Sequence, residues 1–192
     1  MKALSYFALV VILSGGSLLM AACSLLDSES SDGSLTLLLT DAPFPYDLVE
    51  EANVTISRVE IVGEDSAPSP ILEEVRSYNL LDLRDGVTTV LGEVDLPAGK
   101  YPQIRMIVDE AEIKLVDGTT FDLFVPSGAE TGLKILLPNF EIVADQETEL
   151  TLDFDVSRSF IPQGSIETAA GIQGFIFTPV VIPIGLQEEQ AE

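Results

Sequence analysis

The sequence predicts an all-β fold, an antiparallel two-sheet β-sandwich of about eight strands of the immunoglobulin-like or transthyretin-like (prealbumin-like) kind. Three observations predict it. Short runs that alternate apolar and polar residues recur along the chain, as half-buried strands require. Clusters of Gly, Pro, Asp and Asn separate these runs at intervals of about 8 to 12 residues, the spacing of sandwich strands. No stretch keeps a helical period for more than about two turns.

The strands fall within residues 34–186. Leu35, Leu37 and Leu39 alternate with Thr36, Leu38 and Thr40, and Asp41-Ala42-Pro43 ends the run as a turn. Over residues 53–62, Val54 and Ile56 share one parity while Val59 and Ile61 share the other. A β-bulge near Ser57-Arg58 keeps both halves on the core. Residues 63–70 read as a surface loop, 78–83 as a short strand closed by Asp85-Gly86, and 87–91 as either strand or a single helical turn. Residues 96–101 turn into a strand with Ile104, Met106 and Val108 on one face, followed by Ala111, Ile113 and Leu115. A two-residue loop at Asp117-Gly118 would then set Ile113 against Asp122 and mix the faces. A three-residue loop over 116–118, with Gly118 left-handed, pairs Leu115 with Thr119 and Ile113 with Phe121, so the apolar parities agree. Leu133, Ile135 and Leu137 continue the pattern, then Phe140 and Ile142, a turn over 144–146, and Leu150, Leu152, Phe154 and Val156. The last strand, residues 175–184, contains Pro179 and Pro183, which cannot donate to a ladder and so mark a sheet edge. Residues 187–192 form an acidic tail.

The chain opens with MKALSYFALVVILSGGSLLMAAC, a Lys2-bearing start and an apolar stretch that Ser14-Gly15-Gly16-Ser17 interrupts. That stretch is short for a membrane-spanning helix of about 20 residues. It ends in Leu19-Met20-Ala21-Ala22-Cys23, which looks like a lipobox, with an aliphatic-type residue three before the cysteine and small residues directly ahead of it. The expectation is a lipoprotein signal peptide over residues 1–22 and acylation of Cys23, with more than one buried chain anchoring the protein to the membrane. Residues 23–33, rich in Ser and Asp, then serve as a flexible tether. Ser24 after the cysteine, in place of Asp, points to the outer membrane where a cell has two.

Composition excludes several function classes. There are 32 acidic residues against 9 basic ones, and removal of Lys2 with the signal leaves 8 against 32, or −24. A nucleic acid would meet repulsion where phosphate binding needs clustered Lys and Arg. The same charge serves solubility or presents a cation-binding surface. No His is present, which removes the usual general base near neutral pH and the imidazole ligands of most zinc, copper and non-haem iron sites. The single Cys allows no internal disulfide and, once acylated, is neither nucleophile nor thiolate ligand. With no Trp, sugar stacking would rest on four Tyr and nine Phe. These absences predict a protein that is not an enzyme.

Asp153 and Asp155 are the candidate chemistry. Two apart on a strand, they share its outer face at roughly 7 Å. With Asp41 and Asp47 as loop oxygens, the pair would suit a hard cation such as calcium. The spacing also suits paired acid/base carboxylates of a glycosidase, about 5 to 9.5 Å apart, and equally a solvated face in an acidic protein. Tyr46, Tyr78 and Tyr101 fit sugar stacking, or core and corner positions whose hydroxyls satisfy the backbone. Arg58 and Arg105 fall inside strands and predict cross-strand ion pairs. Residues 125–134 superficially resemble a phosphate loop, but lack the Lys-Ser/Thr ending and the following helix.

Several segments resemble the bacterial family known as domain of unknown function 4382, whose members are commonly secreted lipoproteins. They are SLTLLLTDAP (34–43), VTISRVE (54–60), LLDLRDGV (80–87), LPAGKYPQIR (96–105), VPSG (125–128), GLK (132–134) and LTLDFD (150–155). They span nearly the whole mature chain in the family's order. The resemblance implies a fold neighbourhood and a compartment, and carries no catalytic residues. The expected function is therefore an envelope-anchored, non-catalytic binding or adhesion module whose sandwich loops contact a polysaccharide or an envelope protein. The alternatives are a structural component of an envelope assembly and a carboxylate-only hydrolase.

Overall fold

A computed structural model describes residues 31–41, 47–64, 66–125 and 132–185. Its strands are β1 (Asp32–Thr40), β2 (Val49–Val62), β3 (Ser69–Leu72), β4 (Arg76–Asn79), β5 (Thr89–Pro97), β6 (Gly99–Lys100) and β7 (Gln103–Leu115). There follow β8 (Thr120–Leu123), β9 (Leu133–Leu136), β10 (Glu141–Ile142), β11 (Glu147–Phe154), β12 (Phe160–Gly164), β13 (Ile172–Phe177) and β14 (Val181–Ile184). Among the described residues helix is confined to one α-turn, α1 (Val156–Ser159), and two 3-10 turns, Leu80–Leu83 and Ala169–Gly171. The all-β sandwich that the sequence predicts is the fold observed.

Of the two larger sheets one runs β14-β11-β1-β5 and the other β3-β2-β7-β8, with β4 also on β2 and β9 also on β7; β10-β6 and β12-β13 form two-stranded sheets. The inner faces meet in a single core. Leu35, Leu37 and Leu39 of β1 and Leu150, Leu152 and Phe154 of β11 share it with Val54, Ile56, Val59 and Ile61 of β2 and with Ile104, Met106, Val108 and Ile113 of β7. Each such side chain contributes about 1.5–3 kcal/mol by leaving water, which is why strand parity dictates the register. The parity change in β2 is a bulge, as expected, and it has a counterpart in β7. Ile56 faces Val108, and Ser57 and Asp109 are the extra residues on the two sides. The bulges divide the long β2–β7 ribbon into halves. β4 and β8 flank one half, β3 and β9 the other.

The β7–β8 hairpin has the three-residue loop: the Leu115 N–H donates to the Thr119 carbonyl at 2.8 Å, Ile113 faces Phe121, and Gly118 takes φ +85°. The predicted strand over 78–83 is corrected. Pairing stops at Asn79, whose side chain accepts from the Leu81 N–H at 3.3 Å and turns the chain into the 3-10 segment, a local bond that competes with the ladder. The predicted last strand is interrupted at Thr178–Val180 between β13 and β14, and β14 with Pro183 is the sheet edge. The tether boundary also shifts, because Asp32 and Gly33 pair with Pro97 and Leu96 inside β1. Gly33 belongs there because a Cβ would collide with the Val143 carbonyl; its polar neighbours made it look like linker.

One pair departs from antiparallel order. β1 and β11 run parallel, with Ser34 beside Glu147 and Thr40 beside Asp153. Both strands therefore begin at the end where residue 31 leads into the domain and finish at the opposite, distal end. The entry end is pinned by the Asp145 N–H donating to the Asp32 carbonyl at 2.9 Å. Cys23, the remainder of the expected tether to residue 30 and the acidic tail over 187–192 lie outside the described residues. Among those described, no helix is long and apolar enough to cross a membrane.

Candidate functional site

The parallel pair delivers Asp41, Asp153 and Asp155 to the distal end. Thr40 closes β1 with its hydroxyl 3.1 Å from the Leu83 carbonyl and 2.9 Å from that of Val87, and the Asp41 N–H donates to Leu83 at 3.2 Å. Asp41 is 4% exposed. Its Oδ1 accepts from the Val156 N–H at 3.1 Å, and its Oδ2 is buried with no hydrogen-bond partner. Burial pushes the Asp41 carboxyl from 3.8 to about 7, helped by the negative charges of Asp153 and Asp155 and opposed by the Val156 N–H and Arg84. Desolvation disfavours the charged form, and two like charges nearby add to it.

Asp155 does not share an outer strand face with Asp153, contrary to the strand spacing. The chain leaves β11 at Phe154, and Asp155 turns inward as the N-cap of α1. Its Oδ1 accepts from Ser157 Oγ at 2.7 Å and from the Arg158 N–H at 2.9 Å, and Arg158 Nε lies 3.9 Å from Oδ2. An α1 cap consumes this carboxylate as a backbone acceptor. Ser159, fully buried, ties the same corner to the last segment by accepting from the Val180 N–H at 2.9 Å. Asp153, half-buried, sits between Thr40 of β1 and Ile182 of β14 rather than on a solvated face. Asp47 is exposed in the turn before β2. Among the described residues no three Cys, Asp or Glu side chains converge as metal ligands.

The model of the family described as Domain of unknown function (DUF4382) matches residues 32–179. The chain belongs to this family. No curated protein and no solved structure matches it significantly.

The DUF4382 domain thus spans both sheets and the distal corner. Three of the segments that resemble the family, 34–43, 80–87 and 150–155, meet at that corner through Thr40, Asp41, Leu83 and Asp155. In the sequence Asp41 reads as a turn residue and Asp155 as part of a strand alternation; in the structure both are buried and accept from backbone N–H groups. Thr40 and Ser159 carried no signal beyond a polar residue beside an apolar run.

Elsewhere in the DUF4382 domain, Tyr101 is the expected corner residue, 3% exposed with its hydroxyl donating to the Pro97 carbonyl at 2.9 Å. Tyr78 is half-buried on β4, while Tyr46 and the segment 126–131 lie outside the described residues. Arg58 pairs with Glu60 of its own strand at 3.4 Å rather than across strands. On the outer face of the β2–β7 sheet, the half flanked by β4 and β8 holds an open groove of about 590 Å³ lined by Asn53, Thr55, Asp109, Glu110, Glu112 and Asp122. Lys114 borders it, donating to Glu51 at 2.9 Å and paired with Glu50 at 3.0 Å.

Proposed function

We propose that the mature chain is an exported lipoprotein, anchored through Cys23 to the envelope and to the outer membrane where a cell has two, whose sandwich is a non-catalytic binding or adhesion module. A polysaccharide or an envelope protein is the partner. The observation that supports this reading is the parallel β1–β11 pair, which puts residue 32, to which a tether would lead, at one end of the domain and the Asp41–Asp155 corner with α1 at the other. An anchored module needs that polarity to hold its distal loops away from the bilayer. The nine residues from Cys23 to Ser31 reach about 30 Å when extended, enough to lift the domain clear of the headgroups. The absence of His and the engagement of Asp41 and Asp155 with backbone N–H groups support a binder over a hydrolase.

Two measurements test the reading. Cys23→Ser should abolish incorporation of labelled palmitate and move the protein from the membrane to the soluble fraction; retention of label would remove the anchor. The domain from residue 31 onward, immobilised, should capture a glycan or an envelope protein in array and cross-linking assays run with and without calcium. Capture of neither would sink the binding reading.

A further inference from the structure

The other half of the same outer face, flanked by β3 and β9, has the opposite character. In successive register rows it places Val62, Gln103 and Leu136 side by side, then Glu60, Arg105 and Lys134, then Arg58 beside Ile107. Three of the eight Lys and Arg residues that follow the signal are gathered here, in a chain with 32 acidic residues. Arg105 and Lys134 are direct cross-strand neighbours, an arrangement of like charges that destabilises a sheet unless something neutralises it. The carboxylate in the same row, Glu60, pairs with Arg58 at 3.4 Å. Among the described residues neither Arg105 nor Lys134 makes an ion pair. Two residues apart on the same face of β7, Gln103 Nε2 and Arg105 Nε are buried donors with no hydrogen-bond partner. Both buried side-chain atoms left without a partner in this patch are donors, and two uncompensated positive charges lie beside them, so the partner that fits is an acceptor with negative charge.

We propose that Gln103, Arg105 and Lys134 bind an oxyanion, a carboxylate, phosphate or sulfate group on a small ligand of one or two negative charges. The guanidinium supplies a planar fork, the ammonium a point charge and the amide a directed N–H. Ile107 and Leu136, the latter 69% exposed, offer apolar surface to the body of the ligand. Small size follows from the rest of the chain. Screening over about 8 Å at physiological salt lets a small anion feel the local patch, whereas a long polyanion also meets the acidic remainder of the domain. The site lies on the side of the sandwich and is independent of the distal corner.

The experiment is a titration of the mature domain with D-glucuronate, inorganic phosphate and sulfate, with D-glucose as the uncharged control, followed through the Gln103 amide and Arg105 Nε–H signals by nuclear magnetic resonance. At least one anion should give saturable shifts centred on β7 and β9, and glucose none. Arg105→Gln and Lys134→Gln should each weaken binding about tenfold, roughly the worth of one charge-assisted hydrogen bond; Arg76→Gln on β4 should leave it unchanged. Saturation by glucuronate assigns an acidic sugar, and saturation by phosphate or sulfate alone a free inorganic anion; either supports the site. Should Arg105→Gln lose its dispersed spectrum, Arg105→Lys, which keeps the charge and loses the fork, must still weaken binding. No saturable shift from any anion, or equal affinity in the folded variants, overturns the proposal.

Discussion

At the distal end of the sandwich, Asp41 Oδ1 and Asp155 Oδ1 each accept from a backbone N–H, whereas on the outer sheet face the buried donor atoms Gln103 Nε2 and Arg105 Nε have no acceptor among the described residues. The first cluster sits where β1 and β11 end, the second in regularly paired rows next to the bulges of β2 and β7. Their energetics point in opposite directions. A carboxylate that caps an N–H holds its corner together, and its removal leaves an orphan. A donor with no acceptor costs stability as it stands, and its removal relieves the fold. Perturbation therefore separates a cluster that builds the domain from one that is open to a ligand.

The largest effect is expected at Asp41. Its carboxyl is raised from 3.8 to about 7 by burial, so the native state holds the proton more tightly than the unfolded chain does. The stabilisation this confers is complete below the ordinary pKa, declines as pH rises, and is lost once pH passes through about 7. Asp41→Asn keeps an acceptor for the Val156 N–H and removes the charge. It should be the more stable protein at pH 8, and the gap between the two should narrow by about 2 kcal/mol on going to pH 5, at about 1.4 kcal/mol per pKa unit with allowance for water entry at the corner. Urea unfolding of both proteins at the two pH values checks this. Parallel pH profiles would mean that Asp41 does not titrate in that window, and the corner would lose its distinctive electrostatics.

A smaller loss is expected at Asp155. Asp155→Ala removes the acceptor for the Ser157 hydroxyl and the Arg158 N–H and should cost about 1 kcal/mol, while Asp155→Asn, a comparable cap, should recover most of it. Equal stability of the Ala and Asn variants in thermal unfolding would show that α1 stands without its cap.

The same contrast explains what the residues disclosed in advance. Parity gave the core strands, the β2 bulge and the three-residue loop after Leu115, because burial of Leu35, Ile56 or Ile113 is a property of each side chain and its neighbours along the chain. Parallel pairing of β1 with β11 is a long-range choice that alternation leaves open, and it alone brings Asp41 to Val156, 115 positions away. The inward turn of Asp155 was hidden because Leu152 and Phe154 of β11 and Val156 of α1 continue one alternation and are all buried. Arg58 and Arg105 were legible as strand residues with acidic neighbours. What sequence could not say is that Glu60 is taken by Arg58, or that Lys134 arrives from β9 directly opposite Arg105.

That last arrangement gives the smallest effect and the sharpest sign. Gln103→Leu and Arg105→Met replace a donor that lacks an acceptor with apolar side chains of similar length, beside Ile107, Val62 and Leu136. Truncating a satisfied polar residue leaves its partner unpaired; here no partner is left behind, and Arg105→Met also removes the repulsion from Lys134. Each variant should unfold within about 0.5 kcal/mol of the wild type or above it, in contrast to Asp155→Ala. The Arg105→Met gain should shrink as salt rises, because part of it is relief of a half-exposed charge pair that salt already screens. A loss comparable to that of Asp155→Ala in denaturant unfolding would show that Arg105 holds the sheet together. It would then belong with the distal corner, and the difference between the two clusters would vanish.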